Sequence, residues 1–344
     1  MSRKLFSVAI GSIAAIGVSL PIDAKADEFG RLSLLEENDS LYDTSDKHFT
    51  QGLRLSFLSP DIASNSAWNG PFDFVGALAP LFSSAPKAGD RSRRYAMFVG
   101  QSIFTPTDKT TTTPDPTDRP YAGWAYVGVS LLQETNRSTL DHLEVTIGLV
   151  GPGALGKQAQ NDFHQFIGAA PAHGWSYQLR NELAGMVSYE RLWRVPLFSA
   201  AGLSFDIVPQ AGATIGTVAT YGAAGGMIRF GRNLQADYGP ARIRPALSGT
   251  DYFDADHLDG NFGFYVFAGT QGRIVGRNIF LDGNTFRSGP SVDKKLFVGD
   301  LQAGLSLFWS NDIQAVFSAV RRTREYDNQP TPDVIGTASL SFAL

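Results

Sequence analysis

Any chemistry in this chain proceeds without thiols, because its 344 residues include no cysteine. Nucleophilic cysteine, disulfide scaffolds and thiolate metal sites are excluded together, leaving histidine, carboxylate, hydroxyl and amide groups. Of the five histidines, His164 has the most suggestive setting. It follows Gly151-Pro152-Gly153 in a stretch, Ala154 to Ile167, that reads as a helix, with Gln160 four residues earlier on the same side. That spacing aims two polar groups in one direction, while Leu155, Phe163, Phe166 and Ile167 are available for packing. A lone helical histidine serves a structural role just as well. His48, His142, His173 and His257 are weaker candidates, His142 falling in a strand and His173 in a loop.

A second group is Glu37-Asn38-Asp39, at the end of a first strand, with Thr50 at the start of the next. If the two strands pair as a hairpin, Asn38, Asp39 and Thr50 lie together. A carboxylate beside amide and hydroxyl oxygens suits a hard cation, calcium before zinc. The same residues equally suit an ordinary Asn-Asp turn. A third group is Asp118-Arg119-Pro120-Tyr121-Ala122-Gly123-Trp124, preceded in its loop by Lys109. Arg119 there either binds an anion or buttresses the structure. No Gly-x-Ser-x-Gly elbow and no zinc-protease helix pattern occurs.

The elements that must hold these residues are read from composition and periodicity. Only 18% of residues are charged and 43% are hydrophobic, with a net charge of -4, which argues against a nucleic-acid partner. Arg3 and Lys4, the apolar run Leu5 to Leu20, and Ala24-Lys25-Ala26 form the order of a secretory signal, so residues 1–26 are expected to be removed before Asp27. No later window is long and apolar enough for a membrane helix. Alternation with period two recurs instead, as in Leu143, Val145, Ile147 and Leu149 against His142, Glu144, Thr146 and Gly148. In Phe49, Leu53, Leu55 and Phe57, only Gln51 is out of place.

Twelve strands are predicted, at about 28–37, 49–58, 94–104, 121–133, 141–150, 181–193, 203–215, 217–231, 262–275, 293–310, 311–323 and 333–344. An even number of such strands fits a closed outer-membrane β-barrel spanning 27–344, with Tyr121, Trp124, Tyr126, Tyr189, Trp193, Phe308 and Trp309 expected in interfacial girdles. A soluble β-sandwich would alternate in the same way. With a periplasmic amino terminus, parity places 38–48, 105–120, 151–180, 276–292 and 324–332 outside the cell. Two periplasmic connections, 59–93 and 232–261, are too long for simple turns, and Phe72 to Phe82 reads as a small amphipathic helix.

These residues resemble the outer-membrane lipid A 3'-O-deacylase family over most of the chain after the signal. The resemblance rests on Glu37-Asn38-Asp39 with Phe49-Thr50-Gln51-Gly52, the Asp118 to Trp124 string, Gly148-Leu149-Val150-Gly151-Pro152 leading to Gln160 and His164, and Gly174-Trp175 with Gln178-Leu179 and Asn181-Glu182. It implies an all-β, twelve-stranded antiparallel barrel, with the site at the outer rim between the wall and a loop helix. The implied activity is calcium-dependent hydrolysis of the ester that holds the 3'-acyloxyacyl group on lipid A. It further implies His164 as general base, Asn38 and Asp39 as the polar pair at metal and base, Thr50 as a neighbour, Gln160 as a helix contributor and Lys109 as the loop lysine. Where some members carry a glutamate six residues after the histidine, this chain has Ala170.

Ester hydrolysis needs a base near neutral pKa, which an imidazole supplies, and positive charge for the oxyanion, which calcium at Asn38 and Asp39 would supply. The expectation is therefore a monomeric outer-membrane enzyme among lipids, with lipopolysaccharide as substrate. The alternatives are an outer-membrane phospholipase and a non-catalytic barrel, pore or structural.

Overall fold

The computed structural model describes residues 29–39, 47–82, 91–246, 250–255, 258–309 and 312–344. The expected signal segment 1–26 and His257 lie outside the described residues. The strands are β1 (Arg31–Asn38), β2 (His48–Leu58), β3 (Arg91–Thr105), β4 (Ala122–Thr135), β5 (Thr139–Val150), β6 (Glu182–Trp193), β7 (Val195–Ala200), β8 (Leu203–Gly216), β9 (Ala219–Arg232), β10 (Phe262–Asn278), β11 (Phe297–Trp309), β12 (Ile313–Arg322) and β13 (Asp333–Ala343). All pairing is antiparallel, and β1–β13 together with β6–β8 closes the sheet. β7 carries β6 onward past Arg194: β6 pairs with the far half of β8, from Met186↔Gly216 to Leu192↔Gln210, and β7 with its near half, from Val195↔Ile207 to Ala200↔Leu203. They are one interrupted stave, and the barrel has the expected twelve.

Alternation decides which side of the wall each residue takes. In β5, Val145 and Ile147 are each 50% exposed outward, whereas His142, Glu144 and Thr146 are buried in the lumen. Leu53, Leu55, Met97, Val99, Val127, Val129, Val187 and Val266 extend the outer apolar belt around the wall. A belt of that extent is costly in water and suited to a bilayer. The girdle expectation needs correction. Trp124, Tyr126 and Phe308 fall on the inward parity and Tyr121 is roofed by a loop, while Trp193 and Trp309 remain partly exposed outside.

Connections 59–90, 136–138, 201–202, 233–261 and 310–312 share one rim with both ends of the strand sequence; the other connections form the opposite, loop-bearing rim. The described residues of 233–261 form a plug. Leu234, Ala236, Tyr238, Ile243, Tyr252 and Phe253 are at most 3% exposed, and its arginines meet carboxylates of the wall. Arg242 reaches Glu37 at 3.4 Å and Asp300 at 3.1 Å, Arg244 reaches Glu144 at 2.7 Å and Glu190 at 2.6 Å, and Asp251 accepts from Arg54 at 2.9 Å. Buried ions require this pairing, because a lone one is strongly destabilising. A void of about 20 Å³ between the plug and β12–β13 has room for about one water molecule. A lumen packed in this way disfavours the pore reading.

On the same rim, helix α1 (Gly70–Leu78) begins with Pro71 in its first turn and lies outside the wall. Phe72 is buried against the Tyr95 ring and under Arg93, whereas Trp68, Phe74 and Leu78 are exposed. This is the small helix expected at 72–82, starting earlier and ending sooner.

Candidate active site

The loop between β5 and β6 carries helix α2 (Gly156–Ile167). The helix starts against the wall because two glycines face each other: a Cβ on Gly156 would stand 3.1 Å from Gly123 Cα on β4 and 2.9 Å from the Trp175 ring. It stops at Gly168, whose φ of 72° admits the left-handed cap, and Ala169 N donates to the His164 carbonyl at 2.8 Å. Its buried stripe is Gly156, Gln160 and His164, at intervals of four. Leu155 and Phe166 are 56% and 75% exposed, and Phe163 is also exposed. The expected packing role of these apolar residues is reversed. The helix turns polar groups to the barrel wall and apolar groups outward, the arrangement that suits lipid rather than water as the surrounding medium.

Both polar side chains of the stripe are oriented. Gln160 Oε1 accepts from Trp175 Nε1 at 2.9 Å, and Trp175 packs with Tyr121, Ile103 and Ala172. Gln160 Nε2 is buried and makes no hydrogen bond among the described residues. A buried donor left in that state costs about 1–3 kcal/mol. His164 Nδ1 lies 2.6 Å from the Ala170 carbonyl. A carbonyl only accepts, so Nδ1 carries the proton and, in the neutral ring, Nε2 carries the lone pair. The segment that presents this carbonyl is stapled to the helix by Asn161, whose Oδ1 accepts from Ala172 N at 2.9 Å and whose Nδ2 donates to Ala172 O at 3.4 Å. Ala170 thus orients the imidazole through its backbone.

The second group is divided by strand parity. Glu37 points into the lumen, where its Oε1 accepts from Ile243 N at 3.2 Å. Asn38 takes the outward parity at the end of β1, and its side chain hydrogen-bonds that of Glu36 on the same row. Asp39 Oδ2 accepts from Lys47 N across the β1–β2 turn. Thr50 sits in a β-bulge between the pairs Phe49↔Phe104 and Gln51↔Ile103. The bulge turns Phe49 inward, leaves Gln51 outward and brings Thr50 Oγ1 to 2.7 Å from Thr105 Oγ1. It takes Phe49 off the outward row that the sequence alternation gives it with Leu53 and Leu55. Ile103, two residues before Thr105, lies beneath Trp175, so the two groups flank one patch outside β1–β4. Asn38, Asp39 and Thr50 offer hard oxygens in a donor set that fits calcium in kind, with one carboxylate and neutral partners. Among the described residues no three His, Asp or Glu side chains converge as a metal cluster.

The third group is structural in placement. Arg119 is 1% exposed, donates to Glu325 at 3.4 Å and lies over the Phe104 ring, which leaves it no surface to offer a ligand. Lys109 lies beside the helix loop, where its carbonyl accepts from His173 N at 3.0 Å. His48 is buried between Asp333 Oδ1, at 2.6 Å, and the Tyr326 hydroxyl, at 3.0 Å. Burial pushes the Asp118 carboxyl up, but hydrogen bonds from Tyr326, Thr107 and Arg119 N outweigh it and hold the group below the usual carboxylate range. Sequence reasoning missed Glu36 and Asn161. A carboxylate on a lipid-facing row and an asparagine inside a helix, a poor helix former, were the available signals.

Residues 6–344 match the protein family described as Outer membrane protein LpxR. The chain belongs to that family. LpxR from Salmonella typhimurium shares the fold: it is 18% identical, with 91% of this chain and 100% of that chain covered and a TM-score of 0.71. The β domain of the Bordetella autotransporter BrkA is 9% identical, covering 92% of this chain and 99% of that one at a TM-score of 0.43. No curated protein matches the chain in sequence. As an LpxR-family barrel with an apolar belt, the protein resides in the outer membrane.

Proposed function

We propose that this LpxR-family protein is a lipid A deacylase that hydrolyses the ester holding the 3'-acyloxyacyl group. The observation that carries the reading is His164 Nδ1 hydrogen-bonded to the Ala170 carbonyl on a helix whose apolar face turns outward. That combination supports a base of fixed tautomer held at a lipid surface. His164 Nε2 takes a proton from water as the water oxygen attacks the ester carbonyl carbon. Gln160 Nε2 donates to the developing oxyanion, which gives its burial without a partner a use. Collapse breaks the bond to the sugar oxygen. The proton held at Nε2 passes to that oxygen, giving a 3'-hydroxyl and a free acyloxyacyl acid. A calcium ion held by Asn38 and Asp39 would add positive charge beside the oxyanion. Thr50 braces this end of the site through Thr105, and Lys109 stands by for a lipid A phosphate. The loop-bearing rim faces the exterior in this reading, because both ends of the strand sequence lie at the other rim and the amino terminus reads as an export signal.

The test supplies detergent-purified protein with lipid A, with calcium or with a chelator, and weighs the products by mass spectrometry. Loss of the 3'-acyloxyacyl mass only with calcium, and its absence in His164→Ala, is expected. Unchanged lipid A throughout, or full activity in His164→Ala, overturns the proposal. Acyl release from phospholipid alone points to the phospholipase reading.

A further inference from the structure

Across the barrel from helix α2, with β2, β1, β13 and β12 between β3 and β11 in the sheet order, the outer wall is notched. Gly272 on β10 and Gly299 on β11 are directly paired and share the outward row. A Cβ on Gly272 would meet nothing within 4 Å. Two adjacent missing side chains leave a groove of about 750 Å³, walled above by the next pair toward the loop-bearing rim, Ile274 and Phe297, which are 56% and 68% exposed. Its upper edge carries Lys295, Thr323 and Arg324. Arg321, exposed and paired with Leu301, adds a cation to the outward row just below.

An arginine facing lipid costs about 2–4 kcal/mol at the bilayer midplane and almost nothing near the interface. Arg321, level with Leu301 and so deeper than the notch, therefore sets the whole groove at headgroup depth. Asp327 pairs with Lys295, and Arg324 donates to the Pro330 carbonyl at 2.6 Å, so a positive excess remains. The cations stand on two sides of the notch, Lys295 ahead of β11 and Arg321 and Arg324 at the end of β12. That separation suits a headgroup with more than one phosphate.

We propose that this groove holds one resident molecule of lipid A, with its headgroup over the Gly272–Gly299 notch and phosphate against Lys295, Arg321 and Arg324. The lipid is bound there and not hydrolysed, because His164 lies on the other side of the barrel. The identity of the leaflet rests on the sidedness proposed above; the groove itself does not.

The test uses the full chain carrying His164→Ala, purified in detergent, and counts bound lipids by native mass spectrometry with added lipid A or phosphatidylglycerol. Gly272→Trp, whose Cβ meets nothing within 4 Å, sets an indole in the notch and is expected to remove one bound lipid A. Arg321→Ser with Arg324→Ser is expected to weaken retention about thirtyfold, from about 1 kcal/mol per basic residue at a lipid surface. Phosphatidylglycerol should not displace the lipid at equal concentration. An unchanged count in both variants, or equal displacement by phosphatidylglycerol, overturns the proposal. The charge pair decides the matter if Gly272→Trp fails to give a heat-modifiable barrel. If Gly272→Trp loses a lipid while the chain with His164 intact releases no acyl group, the groove stands and the deacylase reading falls.

Discussion

Asn161→Ala separates a positioned imidazole from a merely present one. The substitution removes two hydrogen bonds that hold the segment carrying Ala170, one at 2.9 Å and one at 3.4 Å. The shorter is worth about 1 kcal/mol net, and the longer adds a few tenths by the same scale. If that free energy is what keeps the Ala170 carbonyl on Nδ1, its loss lowers the productive orientation about tenfold, since about 1.4 kcal/mol is a factor of ten. Asn161 acts through the Ala172 backbone and has no part in holding the substrate in this reading, so the loss falls on kcat, with KM nearly unchanged. Initial rates of acyloxyacyl release from lipid A in mixed micelles measure it, with heat-modifiability as the check on folding. On a His164→Ala background, Asn161→Ala should produce no further loss, because the two act as one unit. A kcat within twofold of the parent protein, or equal losses on both backgrounds, would refute this account of the imidazole.

Two further outcomes follow from the lumen and the rim. Arg242→Ala leaves Glu37 and Asp300 short of a buried partner and should cost about 3–5 kcal/mol in urea unfolding of the reconstituted barrel, whereas Arg242→Met with Glu37→Gln should recover much of that; equal losses would mean that the pair does not hold the plug. The rim carboxylates set a pH dependence. Asp118 and Glu325 both lie below their ordinary values, Glu325 because Arg322 and Arg119 outweigh its burial, so their contribution is present above those values and is lost as pH falls through the lower folded ones. Limited proteolysis should therefore find loops 106–121 and 323–332 protected from neutral pH down to about pH 4 and cut below it; opening already near pH 6 would contradict the assignment.

The wall was legible because alternation is a local signal that lipid on one side and a polar lumen on the other both enforce. Val145 and Ile147 against Glu144 and Thr146 show it plainly. Three features were not legible, each for a different reason. The bulge at Thr50 inserts one residue and changes parity, so a strict period-two reading puts Phe49 on the outward row with Leu53 when it belongs to the core. Helix α2 has the amphipathic pattern expected, but the pattern does not say which face meets protein; here the buried face is the polar one, Gln160 and His164, and Phe163 and Phe166 are exposed. The plug has no periodicity, and its partners are remote in sequence, Arg244 and Glu144 being 100 residues apart. Of the candidate residues, Gln160 and His164 share one buried side of the helix, as their spacing of four requires. The fate of Arg119 depended on Glu325, which no local pattern connects to it.

The plug also constrains how such a barrel is assembled. Its arginines find carboxylates on β1, β5, β6 and β11, staves brought around them only when the sheet curls shut. Before that moment Arg242 and Arg244 are hydrated cations on a tether between β9 and β10, and the wall carboxylates are equally hydrated. Drying of the interior and sealing of the wall therefore occur as one cooperative event. An unclosed sheet retains a wet, charged inner face, and a closed sheet without its plug would trap unpaired acids. The β6–β8 and β1–β13 seams thus gain the full stability of the interior only with Arg242 and Arg244 already inside.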